Sequence, residues 1–284
     1  DLAVYHDDYG DYSTNEPTMD GTASLIYLLA ALESPNPSQN NQQQGTLQPT
    51  GVAENKTIKQ GAVIRGDSTK KELALVFTGH EYAEGLPAIL QALKKSGLKA
   101  AFFFTGDFVR RYPALVKQTV ADGHYVGPHS DKHLLYADWT RRDSTLLTKA
   151  QFQQDLLDNY KALQPFGITP QKAPWFLPAF EWYNQDIADW SAELGVQLIC
   201  HTPGTLSAAD YTTLSDKNYR STAAILQSIN EKASQPNGLN GFLLLTHVGA
   251  GAGRPDPLAA QLPTLIHDLQ GHGYMMVPLA QMLR

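Results

Sequence analysis

The chain has 284 residues, with 22 Lys plus Arg against 28 Asp plus Glu and a net charge of −6. An acidic balance with no basic block argues against a dedicated nucleic-acid binder and against a polybasic membrane-surface protein, and no apolar run reaches the ~18 residues of a membrane span. One cysteine, Cys200, excludes an internal disulfide and a multi-thiolate zinc site, whereas there are nine histidines.

Residues 1–60 read as an irregular N-terminal arm or linker, ahead of a folded domain over residues 61–284. Ser34 to Thr50 is dense in Pro, Ser, Asn and Gln and offers little apolar surface to bury. A short apolar stretch, Ser24 to Leu32, precedes it, and His6-Asp7-Asp8-Tyr9 is a minor candidate for a metal cluster. From Glu72 onward the pattern becomes regular. Continuous apolar runs predict strands at Leu73–Phe77, Lys99–Phe104, Tyr125–Val126, Ala173–Leu177, Gln197–Cys200, Phe242–Thr246 and Tyr274–Val277. Helical stripes predict helices over 86–96, 113–122, 149–164, 184–194, 221–233 and 258–270, several of them closed by Gly. Strands without polar alternation that alternate with helices imply a parallel sheet covered on both faces. The fold class is therefore α/β, as an open doubly wound sheet or a closed barrel.

Active sites of such folds gather at the C-terminal ends of the strands. His80 and Glu81 follow the first strand, His129 and His133 the third, and Glu181 the fourth. His201 follows the fifth and His247 ends the sixth. His124, His267 and His272 fall on the opposite rim, where a helix C-terminus favours a cation. Five of the nine histidines are thus expected on one face. His129-Ser130-Asp131-Lys132-His133 spaces two imidazoles as neighbours on one helical turn, which suits a single metal ion.

The residues placed on these strand ends resemble the polysaccharide deacetylases (carbohydrate esterase family four, the NodB-homology type). Gly123-His124-Tyr125-Val126-Gly127-Pro128-His129-Ser130 is similar to that family's second motif, Leu98 to Phe104 to its second strand, and Leu244-Leu245-Thr246-His247 to its L-x-x-H motif. The resemblance covers roughly residues 64–283. It implies a distorted (β/α)7 barrel with parallel strands, one divalent metal, with Zn²⁺ the first candidate, and removal of acetyl groups from a polymer of the N-acetylglucosamine type or another acetylated polysaccharide. It also implies a secreted or cell-envelope location, and the Asp1 start, without methionine, is read the same way.

Two motifs depart from the family pattern. Where the family carries a base aspartate and then a ligand aspartate, this chain has Gly79-His80-Glu81. The resemblance then makes His80, His129 and His133 the metal ligands and Glu81 the first candidate for the base; a one-residue slip exchanges His80 and Glu81. The family's F-R-P-P-Y-G corresponds to Phe176-Leu177-Pro178-Ala179-Phe180-Glu181, so the arginine partner of the base is absent, and Glu181 is the second candidate base or a ligand for a sugar hydroxyl. Trp175, Phe176, Phe180 and Trp182 are core residues or rings for stacking on a sugar. His247 is the expected general acid, with Asp210 a weak candidate for the aspartate that tunes it. A backbone N–H near Tyr82 is the candidate oxyanion donor. The alternatives are a non-catalytic carbohydrate-binding protein on the same scaffold and another barrel metal hydrolase, such as a peptidoglycan amidase.

Overall fold

A computed structural model describes residues 55–283. The His6-Asp7-Asp8-Tyr9 cluster and the apolar stretch Ser24 to Leu32 lie outside these residues. In chain order the elements are β1 (Thr57–Lys59), β2 (Ala62–Arg65), β3 (Glu72–Gly79), α1 (Leu86–Lys95), β4 (Ala101–Phe104), α2 (Gly106–Arg111), α3 (Pro113–Ala121) and β5 (Tyr125–Pro128). They continue with α4 (Lys149–Leu163), β6 (Trp175–Phe176), α5 (Gln185–Glu193), β7 (Gln197–Leu198), α6 (Thr222–Ala233), β8 (Phe242–His247), α7 (Leu262–Gly271), β9 (Met275–Met276) and α8 (Leu279–Met282).

The apolar runs become strands because both of their faces are covered. In β3 every residue from Leu73 to Gly79 is buried, and alternation sorts them. Leu73, Leu75 and Phe77 join the layer between sheet and helices, whereas Ala74 and Val76 point the other way, among Val63, Ala101, Phe103, Ile199, Leu243 and Leu245. This second group fills the barrel interior, where small residues on β3 and β4 leave room for Phe103. Met282 and Leu283 join the same group from the C-terminus. Local chemistry sets the helix ends. The side chains of Thr105, Thr148, Asn184 and Ser221 accept the N-cap hydrogen bonds of α2, α4, α5 and α6. Gly97 and Gly123 take left-handed φ values of 66° and 77° just past α1 and α3.

The main sheet runs β1-β2-β8-β3-β4-β5, with β9 on β3, and β6 pairs with β7 in a second sheet. Strands β8, β3, β4 and β5 are mutually parallel, as are β6 and β7. Two backbone hydrogen bonds span the gaps between the sheets. Leu177 N–H donates to Pro128 C=O (3.3 Å), and Cys200 N–H donates to Val63 C=O (3.0 Å). The strands therefore follow one another around a distorted (β/α)7 barrel, as expected.

One position in the barrel differs from expectation. The place beside β8 is taken by β2, which runs antiparallel to it. The strand expected over Tyr274–Val277 shortens to β9 and attaches to the beginning of β3. β1 lies ahead of the boundary drawn after residue 60 and pairs with β2 across a tight turn at Gln60 and Gly61 (φ 47° and 76°).

Candidate active site

Because the barrel strands that carry the site residues are parallel, their C-terminal ends share one rim. His80 and Glu81 follow β3, His129 to His133 follow β5, Glu181 follows β6, His201 follows β7, and His247 ends β8. Three imidazoles touch there. His80 and His133 stack with centroids 4.2 Å apart and planes 7° apart, and His129 meets His133 edge-on at 5.3 Å.

The loop that carries His129 and His133 is held by buried polar groups. Asn159 on α4 accepts the His129 N–H (2.7 Å) and donates to Phe104 C=O (3.1 Å). Asp155, also on α4, accepts the N–H groups of Asp131 and Lys132 and the Tyr136 hydroxyl. The Asp131 carboxylate is held by the Arg110 guanidinium at 2.8 and 2.9 Å. This loop corrects the helical-turn reading of His129-x-x-x-His133. The segment is irregular, and Ser130 and His133 have positive φ values of 75° and 56°. The two rings still meet, because tertiary hydrogen bonds replace the helix.

Hydrogen bonding and burial set the protonation of this cluster. His129 Nδ1–H donates to Leu177 C=O (2.8 Å), which fixes the tautomer and leaves the Nε2 lone pair free. Burial pulls the His129 pKa down to about 3 and the His133 pKa to about 2, with the neighbouring imidazoles adding to the effect. Burial lowers His80 as well. His80 Nδ1 lies 3.3 Å from the Thr105 hydroxyl. All three rings are neutral at physiological pH.

His247 is in a different environment. Its Nδ1 lies 2.7 Å from one oxygen of Asp210, and its own N–H donates to the other at 2.9 Å. Burial alone pushes the His247 pKa down, but the Asp210 charge and hydrogen bond and the Glu181 charge outweigh it, so the net shift is upward. Asp210 is 4% exposed. The weak sequence candidate thus sits on His247, positioned by the short turn Ser207–Ala209. The loop after β8 is fixed by Glu84, whose carboxylate accepts the Ala250 and Gly251 N–H groups, both at 2.7 Å.

The two candidate bases lie in different places. Glu81, the first candidate, is exposed, and its carbonyl accepts hydrogen bonds from Arg111 and Tyr112. Glu181 is partly buried on the site side and lies within electrostatic reach of His247 and Asp210. Burial raises its pKa, and His247 partly opposes the shift. Phe180 and Glu181 both have positive φ, 59° and 53°. At this strained pair the Phe180 ring packs on His133, and the Glu181 charge reaches His247.

Gly79 and Leu177, the positions that depart from the family motifs, are both packed. A Cβ on Gly79 would lie 2.8 Å from Phe104, 2.9 Å from Val248 and 3.0 Å from Phe108. No carboxylate fits there without a shift of these neighbours. Leu177 is fully buried in the barrel interior. Of the expected stacking rings, Phe176 is buried core and Trp175 packs on Tyr125, whereas Phe180 is exposed and Trp182 partly so. His201 is partly buried at the rim, with its pKa lowered to about 4 by burial and by His247. On the opposite rim His124 is not a helix-end cation. It accepts the Ala100 N–H at Nδ1, and burial lowers its pKa to about 4.

The donor chemistry of His80, His129 and His133 suits a borderline metal such as Zn²⁺, since neutral imidazoles with free lone pairs are its usual nitrogen ligands. The observed ring placement is gathered but not convergent. The lone pairs of the stacked His80 and His133 rings lie in nearly parallel planes. Among the described residues, no three His, Cys, Asp or Glu side chains surround one point as a metal ion requires.

The polysaccharide deacetylase family model matches residues 65–199. Over 99 residues (34% of each chain) the protein is 37% identical to an uncharacterized 30.6 kDa protein of Geobacillus stearothermophilus. It is 25% identical over 214 residues to the peptidoglycan-N-acetylglucosamine deacetylase PgdA of Listeria monocytogenes, covering 75% of this chain and 39% of that protein. The chain spans between about a third and three fifths of the length of the first curated relatives it matches. Among solved structures, BA3943 of Bacillus anthracis, described as a CE4 family pseudoenzyme, superposes with a TM-score of 0.63 at 21% identity, covering 80% of this chain and 70% of that one. At that identity the likeness establishes the fold, and the family model assigns residues 65–199 to a polysaccharide deacetylase domain.

Proposed function

We propose that the protein is a hydrolase that removes acetyl groups from a carbohydrate of the cell envelope, an N-acetylglucosamine-type polymer or another acetylated polysaccharide. The observation that carries this reading is the pairing, on one rim, of a neutral three-histidine cluster with a histidine held by a buried aspartate. The peptidoglycan deacetylases among its relatives support the substrate class.

In this reading His80, His129 and His133 would hold one divalent ion, Zn²⁺ first among the candidates. When bound, such an ion supplies Lewis-acid polarisation of the acetyl carbonyl and acidifies water. Glu181 takes the proton of the attacking water, and its raised pKa brings it closer to the working pH. Asp210 holds His247 by Nδ1 and favours its protonated form, which leaves Nε2–H to donate a proton to the leaving amine or alkoxide. Glu81 is set aside as the base because it is exposed to solvent, although its charge reaches His80.

The test is acetate release from chitooligosaccharides and from acetylated xylan, with and without added Zn²⁺. Metal-stimulated release that Glu181→Gln abolishes is the expected result. No release from either substrate, at any metal level, overturns it. A specific observation favours a second reading, a non-catalytic carbohydrate-binding protein. The position where the family resemblance places the base is Gly79, whose surroundings are packed shut, and a structural neighbour is described as a pseudoenzyme. Oligosaccharide binding without acetate release would select that reading.

A further inference from the structure

An aromatic ledge lies beside the histidine cluster, and the chemistry proposed above does not use it. Trp139 is 55% exposed and Phe180 42%. Their rings meet edge to face with centroids 5.6 Å apart, and Trp139 lies 5.4 Å from Trp182. Phe180 also packs on His133 at 4.3 Å, so the ledge is continuous with the histidines.

Three features hold these rings in place. Phe180 keeps a left-handed φ of 59°, which non-glycine residues adopt only when the surroundings impose it. Trp182 is pinned from two sides: its Nε1–H donates to Asp138 C=O (3.1 Å), and the Arg142 guanidinium lies 4.1 Å over its ring. The turn carrying Trp139 is folded by the Asp138 carboxylate, which accepts the Thr140 and Arg141 N–H groups and the Thr140 hydroxyl. A bridge between Ala137 and Thr145 closes that loop. The result is a set of rigid aromatic faces open to water. Such faces match the flat C–H face of a pyranose, whose hydroxyls stay solvated at its edge.

We propose that Trp139, Phe180 and Trp182 form a subsite for a pyranose ring of the glycan, next to the sugar held at the histidine cluster, and that this subsite makes the protein prefer longer oligomers. The proposal rests on the carbohydrate reading above. Phe180 and Trp182 are stacking candidates by sequence alone, whereas Trp139 reaches them only through the fold.

The experiment titrates the full chain by calorimetry with β-1,4-linked N-acetylglucosamine oligomers, from dimer to pentamer. A second arm uses acetylated xylooligosaccharides of the same lengths. Wild-type affinity is expected to rise with length in at least one arm. Trp139→Ala should weaken pentamer binding about five- to tenfold and flatten the length dependence, and Trp139→Phe should recover part of it. Circular dichroism checks that the variants fold, as an exposed position predicts. Full length dependence in Trp139→Ala, or a wild type that binds neither series, overturns the proposal. Acetate release is measured separately. A ledge effect without release leaves the subsite standing and removes the deacetylase reading; release without a ledge effect does the reverse.

Discussion

The two halves of the rim use the same residue in opposite ways. On one side His80, His129 and His133 crowd together with no carboxylate among the described residues hydrogen-bonded to their ring nitrogens, and burial favours their neutral form. On the other side His247, in a comparably buried setting, is pushed toward the protonated form by Asp210 and Glu181. Burial alone acts in the same direction on all four rings. The carboxylates decide the difference, because a charge in direct contact with a poorly solvated imidazole outweighs its desolvation. The half held neutral suits lone-pair donation, and the half shifted toward protonation suits proton donation.

The sharpest way to break this comparison is to remove one side at a time. His247→Ala should cut turnover on an acetylated oligosaccharide by about 10²–10⁴ while bound metal, read by elemental analysis, stays at the wild-type level. Retained turnover would take His247 out of the mechanism. His129→Ala should do the opposite to the metal, leaving the purified protein with little Zn²⁺ after dialysis; full metal content would end the three-histidine assignment.

A smaller effect is expected at Gly79. Gly79→Ala forces a methyl group against Phe104, Val248 and Phe108 and should cost about 1–3 kcal/mol in denaturant unfolding. An unchanged midpoint would mean that the space is not closed. The smallest and most diagnostic change is in pH dependence. With His247 as the proposed acid, activity should fall as pH rises through its pKa, and the raised pKa should extend activity toward alkaline pH. Asp210→Asn removes the charge that raises it, so the alkaline limb of kcat should move to lower pH. A limb that stays in place would show that another group controls it.

Much of the barrel was legible because its strands are continuous apolar runs. β3, β4, β5 and β8 all lie where the pattern predicts them, and the strand ends then ordered His80, His129, His133 and His247 on one rim. The β1–β2 hairpin was missed for a physical reason. β1 is exposed along its length, so it carries no apolar signal, and its turn uses Gln60 at a left-handed position. β6 and β7 shrink to two residues each, because single backbone bonds at Leu177 and Cys200 carry the barrel across those gaps.

The site was legible in its histidines and less so in their hydrogen-bond partners. His129 and His133 stood out by spacing, yet a hydrogen-bonded loop rather than a helix brings them together. Asp210 is 37 positions from His247, on a loop with no periodic pattern, and Asp-Tyr is a weak local signal. Trp139 had no sequence signal, because exposed tryptophans in loops are read as surface.

The sequence by itself determined the order of strands and helices, since burial on two faces and helix capping are written in local residue choice. It also determined which side chains stand at the strand ends, because a parallel strand delivers its last residue to a known rim. Only the tertiary structure decided which carboxylate faces His247, which histidines stay neutral and which base candidate is inside. Those outcomes depend on desolvation and on charges brought close from distant segments, and neither has a period along the chain.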